Sequence, residues 1–271
     1  MSRIDQRFAE LAASDRTGLI PFITAGDPLP DSTVALMHAL VVAGADLIEL
    51  GVPFSDPMAD GPVIQHASER ALARGVGLTR ILGWVHEFRQ HDVVTPIVLM
   101  GYMNPVEIMG AARFAELAVE AGVDGVLLVD CPIEEAAASA PLRSAGLQQI
   151  LLAAPTTTAQ RMAQVCSAAA GFLYYVSFAG ITGADRISLE SVEAGVAQAR
   201  QQAKLPVAVG FGIRDAAQAQ VIGNFADAVV IGSALVERLS SARDEAELCA
   251  EAQAFLAPIR AALDAARGAS R

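Results

Sequence analysis

Leu47-Ile48-Glu49-Leu50-Gly51-Val52-Pro53-Phe54-Ser55-Asp56-Pro57-Met58-Ala59-Asp60-Gly61-Pro62 is a short apolar run with one carboxylate inside it, followed at once by a long loop that three prolines stiffen. Its first five residues have the length and composition of a buried strand. Seven further runs of this kind punctuate the chain, at Leu19 to Thr24, Ile97 to Gly101, Gly125 to Val129, Gln149 to Ala153, Phe172 to Ser177, Val207 to Gly210 and Ala228 to Gly232. Longer segments of helical period separate them. Three carry start signals: Asp31 ahead of Ser32 to Ala43, Asn104-Pro105 ahead of Val106 to Ala121, and Thr158 ahead of Ala159 to Ala169. Glycine follows two of these segments, as Ala43-Gly44 and Ala121-Gly122, where a left-handed cap is least strained without a Cβ.

Strands alternating with helices predict parallel pairing, and eight strands predict a closed barrel. A (β/α)₈ barrel typically takes about 250 residues, so the 271 residues read as an α/β chain with a single TIM-barrel domain over 1–271. An extra N-terminal helix, Ile4 to Ala12, can plug the barrel bottom, and Ala246 to Ala266 reads as the last outer helix.

The formal charge of −11 argues against nucleic acid, whose affinity for proteins comes mainly from clustered Lys and Arg. A small phosphorylated substrate is still allowed, because backbone N–H groups can hold a phosphate. Cys131, Cys166 and Cys249 show no paired spacing, and Met1 to Glu10 lacks a secretory pattern, so reduced thiols in a cytoplasm are expected. The longest uncharged run, Met162 to Ala184, is interrupted by Gly171, Gly180 and Gly183 and reads as helix end, strand and loop rather than a membrane span.

In such barrels the loops after the strands form the active face. Glu49 therefore stands out. A charge inside an apolar strand is expensive to bury unpaired, and none of the eight runs contains Lys or Arg. Either Asp60 or Asp56 supplies a second acid from the loop that follows. Gly210-Phe211-Gly212 after strand seven and Gly232-Ser233 after strand eight occupy the positions where barrels commonly bind phosphate. Ser177 to Ala184, small and glycine-rich, suits a lid and equally a surface loop.

Inventory excludes several chemistries. Lys204, the only lysine, precedes strand seven at the inactive end, so a Schiff-base aldolase lacks its amine. His38, His66, His86 and His91 fall on outer helices or their ends, away from any metal site on the active face. Metal-free acid–base chemistry by carboxylates on a phosphorylated substrate remains.

Pro21-Phe22-Ile23-Thr24-Ala25-Gly26-Asp27-Pro28, Glu49 to Pro57, Ala59-Asp60-Gly61-Pro62, Met100-Gly101-Tyr102-Met103-Asn104-Pro105, Ala154-Pro155-Thr156-Thr157, Tyr174-Tyr175-Val176-Ser177, Gly180-Ile181-Thr182-Gly183 and Val209-Gly210-Phe211-Gly212-Ile213 together resemble the tryptophan synthase α chain family, nearly end to end. That resemblance implies a lyase that cleaves indole-3-glycerol phosphate to indole and glyceraldehyde 3-phosphate. It implies Glu49 as general acid–base and Asp60 at the indole ring nitrogen. Phe22, Leu99 or Met100, Leu128 and Tyr174 would line the indole pocket, with Thr182 on the lid near Asp60. Gly183, Phe211, Gly212, Gly232 and Ser233 would hold the phosphate end. It further implies no metal and no cofactor in this chain, and a β subunit carrying pyridoxal phosphate in an α2β2 heterotetramer, contacted through Pro53, Asp56 and Pro57. The chain departs from the family at Phe178 and Ala179, where a basic residue is common, and at Asp130-Cys131-Pro132. A related isomerase or synthase barrel would need a lysine at a strand end or another acid pair, and a purely activating subunit would not need Glu49 and Asp60 intact.

Overall fold

Side chains alternate across each strand with period two, and in this chain the alternation separates two cores. The computed structural model describes residues 1–135, 137–176, 189–210 and 212–268. Its strands are β1 (Gly18–Thr24), β2 (Ile48–Gly51), β3 (Ile97–Gly101), β4 (Gly125–Leu128), β5 (Gln148–Gln149), β6 (Leu151–Ala153), β7 (Leu173–Val176), β8 (Val207–Gly210) and β9 (Ala228–Ile231). All neighbours are parallel, and the order β5-β4-β3-β2-β1-β9-β8-β7-β6 begins and ends on two segments separated only by Ile150. The Ile150 N–H donates to the Val126 carbonyl at 2.9 Å, so β5 and β6 are the two parts of one strand. β5 faces β4, β6 faces β7, and the ring closes as an eight-position barrel.

Ile20, Leu47, Val98, Leu127, Ile150, Ala208, Ala228 and Val230 point inward and form one buried cluster. Leu19, Ile48, Leu50, Leu99, Val126, Leu128, Val207 and Val229 point outward against the helical layer in a second, larger one. The N-terminal helix Arg3–Ala13 presents Ile4, Phe8 and Leu11 to the inner cluster, and Phe8 meets Phe172 with ring centroids 5.5 Å apart. It closes the barrel bottom as its spacing predicts. Ser2 and Asp5 form a reciprocal capping box at its start.

Carboxylates at that bottom end have a repeated structural use. Asp46, Asp124 and Asp227, each shortly before a strand, accept the N–H of Leu19, Ile97 and Val207 on the neighbouring strand. Each also pairs with an arginine from the outer layer: Arg260, Arg89 and Arg200. These carboxylates lock strand register at the N-terminal rim, where barrels keep residues of stability rather than chemistry.

Several expected boundaries move. The segment expected as one helix over Val106–Ala121 is two, Met103–Met109 and Ala111–Ala121, because Gly110 adopts φ +88 between them. The first begins behind Tyr102 rather than Asn104-Pro105. Asp31 does not cap Thr33–Val42. It lies in a 3₁₀ turn, Pro30–Ser32, and pairs with Arg80. Thr158 does cap its helix, accepting the Arg161 N–H. Among the described residues no helix is long and apolar enough to cross a membrane.

Candidate active site

With Ile48 and Leu50 facing outward, the same alternation turns Glu49 into the barrel. Its side chain is 1 % exposed, and among the described residues neither carboxyl oxygen has a hydrogen-bond partner. Burial, reinforced by the nearby charge of Asp60, pushes its pKa up to about 8. At neutral pH Glu49 therefore holds a proton, which makes it an acid aimed into a cavity rather than half of an ion pair.

That cavity opens at the C-terminal ends of the strands, has a volume of about 1030 Å³, and contains Glu49, Asp60, Phe22, Met100, Tyr174, Gly210, Gly212, Gly232 and Ser233 in its wall. It is large enough for a small-molecule ligand, for which roughly 300–1,000 Å³ is usual. Phe22, Met100 and Tyr174 give it an apolar side on inward strand positions. Between Phe22 on β1 and Tyr174 on β7 the wall is glycine backbone after β8 and β9. Gly212 sits there at φ +61, which disfavours any side chain, and Gly232 precedes the helix Ser233–Leu239.

Asp60 and Asp56, both possible second acids by sequence, part company in space. Asp56 is exposed and accepts a 2.5 Å bond from the Ser55 hydroxyl. Asp60 lies in the cavity wall. Its carboxylate pKa is raised, chiefly by burial, against an opposing hydrogen bond from Tyr102. A tight turn bonds its N–H to the Pro57 carbonyl at 3.0 Å, and its own carbonyl accepts from the Gln65 side chain at 2.8 Å. The loop thus delivers Asp60 just before Gly61 starts the helix Pro62–Ala73.

Leu128, expected in the apolar pocket, is instead outside the barrel. It packs in the outer cluster beside Leu99, Val106 and Phe114. The reason is register: on β4 the inward position is Leu127, with Val129 next on that side just past the strand's end. Of Leu99 and Met100, Met100 is the one that faces the cavity. Pro53 is buried, while Asp56 is exposed and Pro57 half-buried, so the surface of that loop is carried by Asp56, Pro57 and the 78 % exposed Met58. Thr182, Gly183 and Phe211, with the expected lid, lie outside the described residues.

Two residues of the site were not singled out from the sequence. Tyr102 directly follows β3 and touches Asp60, and the rule that polar residues at C-terminal strand ends are functional candidates would have found it. Arg214 is the only basic residue in the described cavity wall, on the glycine-rich side, two residues beyond Gly212. Lys204 stands before β8 and the four histidines on or beside outer helices, and none of them is in the described cavity wall. Among the described residues no His, Cys, Asp and Glu group is placed to hold a metal ion.

Apolar side chains, glycine backbone with an arginine, and two carboxylates in one cavity wall fit a substrate with a flat apolar head and an anionic tail. Residues 8–264 match the family model described as tryptophan synthase alpha chain. The chain is 61 % identical over 268 residues to the tryptophan synthase alpha chain of Xylella fastidiosa, covering 98 % of this chain and all of that one. It is 60 % identical over 267 residues to the one from Ralstonia nicotianae, with the same coverage. The crystal structure of tryptophan synthase subunit alpha from Legionella pneumophila superposes with a TM-score of 0.90 at 46 % identity, over 98 % of this chain and 99 % of that one.

Proposed function

Since the chain belongs to the tryptophan synthase alpha chain family, we propose that its two cavity carboxylates perform the retro-aldol cleavage of indole-3-glycerol phosphate in which Glu49 is the acid–base and Asp60 the partner of the ring nitrogen. The subunit role in tryptophan biosynthesis, the lyase activity and assembly with a β subunit come with the family. Which residues carry the reaction is this proposal. The observation behind it is Glu49: buried, without a hydrogen-bond partner among the described residues, and with its pKa pushed up to about 8.

In this scheme the indole ring lies among Phe22, Met100 and Tyr174. The Glu49 carboxyl gives its proton to ring C3, leaving a ring cation whose N–H faces the Asp60 carboxylate. The Glu49 carboxylate so formed takes the proton of the side-chain hydroxyl next to the ring. The C–O bond becomes the aldehyde, and the electrons of the breaking carbon–carbon bond return to the ring, expelling neutral indole. Each positioned acid or base is worth about 10² to 10⁴-fold. Glu49 ends the cycle protonated, as it began, so the chain's own carboxylates close the scheme without a metal or cofactor. Residues 1–271 then act as one barrel domain, working in the cytoplasm, where the free cysteines Cys131, Cys166 and Cys249 would stay reduced.

The test is to incubate the purified chain with indole-3-glycerol phosphate and follow indole, alone and with a β subunit. Indole release that the β subunit accelerates is expected. A folded chain that binds inorganic phosphate yet gives no indole even with the β subunit would overturn the reading. The tail assignment has its own check: Arg214 is solvent-exposed, so its attraction for a phosphate is worth about 1 kcal/mol. Arg214→Ala is expected to raise KM roughly five- to tenfold and flatten its salt dependence while kcat stays nearly constant. An unchanged KM would remove Arg214 from the phosphate end.

A further inference from the structure

Tyr102 stands where β3, the loop after β2 and the catalytic carboxylate meet. It follows Gly101 directly, is 4 % exposed and caps the start of the helix Met103–Met109. Its hydroxyl accepts the Ala59 N–H at 3.0 Å and donates to Oδ2 of Asp60 at 3.1 Å. Its ring lies against Phe54, with centroids 5.1 Å apart and planes tilted by 32°. One side chain on a rigid strand end therefore holds the beginning of the loop through a ring contact and its end through two hydrogen bonds.

The direction of those bonds matters. A phenol has one proton; because the Ala59 N–H occupies the oxygen as acceptor, that proton points at Asp60. The contact rewards the ionised carboxylate and opposes burial, which favours the neutral form. Between these residues lies the exposed stretch Ser55, Asp56 and Met58. A macromolecule seated there would press on Phe54 and Ala59, and both contacts end on the tyrosine that aims Asp60.

We propose that Tyr102 is a positioning residue that joins the aim of Asp60 to the shape of the Phe54–Ala59 segment, so that the β subunit seated on this loop acts on the carboxylate through the Tyr102 ring and hydroxyl. The inference rests on the assignment of Asp60 as the ring-nitrogen partner and of this loop as the β-subunit contact.

The ionisable groups around Asp60 separate the limbs of a pH profile. Glu49 on β2 titrates at about 8 and sets the basic limb, since the acid must keep its proton. Tyr102 and Tyr174 on β7 have their ionisation raised and stay neutral throughout. Arg214 after β8 lines the same cavity, and Asp130 after β4 acts on Tyr102 rather than on Asp60. Asp60 is left to set the acid limb.

Tyr102→Phe keeps the ring and removes both hydrogen bonds. In the isolated chain it is expected to lower kcat about tenfold with KM little changed, and to move the acid limb upward while the basic limb stays. A merely structural tyrosine would move neither limb. Phe54→Leu keeps the hydroxyl and is expected to leave the acid limb in place. In the reconstituted complex both variants are expected to bind the β subunit with unchanged Kd yet lose most of its accelerating effect on indole release. An unmoved acid limb with unchanged kcat in Tyr102→Phe would overturn the positioning role. Full acceleration in both variants, while Asp56→Ala weakens β binding, would overturn the coupling. If Asp56→Ala leaves β binding unchanged, the docking assignment itself fails and the coupling with it, whereas the acid limb of the isolated chain still decides the positioning role.

Discussion

Glu49→Gln is expected to lower indole release by about 10³ to 10⁴-fold while making the protein more stable. The catalytic loss follows from chemistry: an amide can neither deliver a proton to ring C3 nor take one from the hydroxyl. The stability gain follows from linkage. An unfolded glutamate loses its proton near 4.5, whereas the folded Glu49 keeps it until about 8. Unfolding therefore releases a proton between those values, and stability falls as pH rises through that window, levelling off above it. At pH 7 the roughly 2.5 pH units above 4.5 correspond to about 3 kcal/mol. Glutamine, neutral and similar in shape, leaves a buried polar group as Glu49 does but removes the proton linkage. Urea unfolding of both proteins would show the variant about 3 kcal/mol more stable at pH 7 and indistinguishable near pH 4.5. A variant no more stable at pH 7, or one that still cleaves substrate at the parent rate, would sink the description of Glu49 as a buried proton-bearing acid.

The same residue shows what was legible in the sequence. Period two within an eight-strand pattern, together with the absence of any basic residue in the strands, turns Glu49 inward with no basic partner, and among the described residues its carboxyl oxygens have no hydrogen-bond partner. Asp46 and Asp124 are buried carboxylates too and Asp227 is half-buried, but each stands before its strand, at the rim where arginines of the outer layer reach it. Place along the strand separates chemistry from register, and that place is readable. Loop geometry is not. Asp56 and Asp60 look alike in the sequence, and only the turn over Pro57 to Asp60 and the reach of Tyr102 put one in the cavity and leave the other in solvent. Leu128 went astray by a single position, because a one-residue change in strand register exchanges the two faces. The helix break at Gly110 was equally hidden: a glycine inside a helical pattern is tolerated often enough that its presence does not dictate a stop.

Asp60→Asn is expected to lower kcat by about 10² to 10³-fold, and the pH profile of what activity remains carries the sharper test. An asparagine oxygen still accepts the Tyr102 proton and the ring N–H, so shape and hydrogen bonding survive. What disappears is the negative charge facing a ring cation inside a water-poor cavity, an electrostatic term of roughly 3–4 kcal/mol in comparable sites. Losing that charge also acts on Glu49. Asp60 is the second cause, after burial, of the raised Glu49 pKa, so its neutralisation lets Glu49 give up its proton at lower pH. The basic limb of the variant should therefore move down from about 8, and the acid limb, which belongs to Asp60, should vanish. Stopped-time indole assays from pH 5 to pH 9 would read both. If kcat fell but the basic limb stayed where it is in the parent, the two carboxylates would not feel one another, and a shared cavity with one proton-bearing and one ionised acid would be the wrong description of the site. A downward shift, with the acid limb gone, would tie both limbs to the two carboxylates in the wall of this cavity.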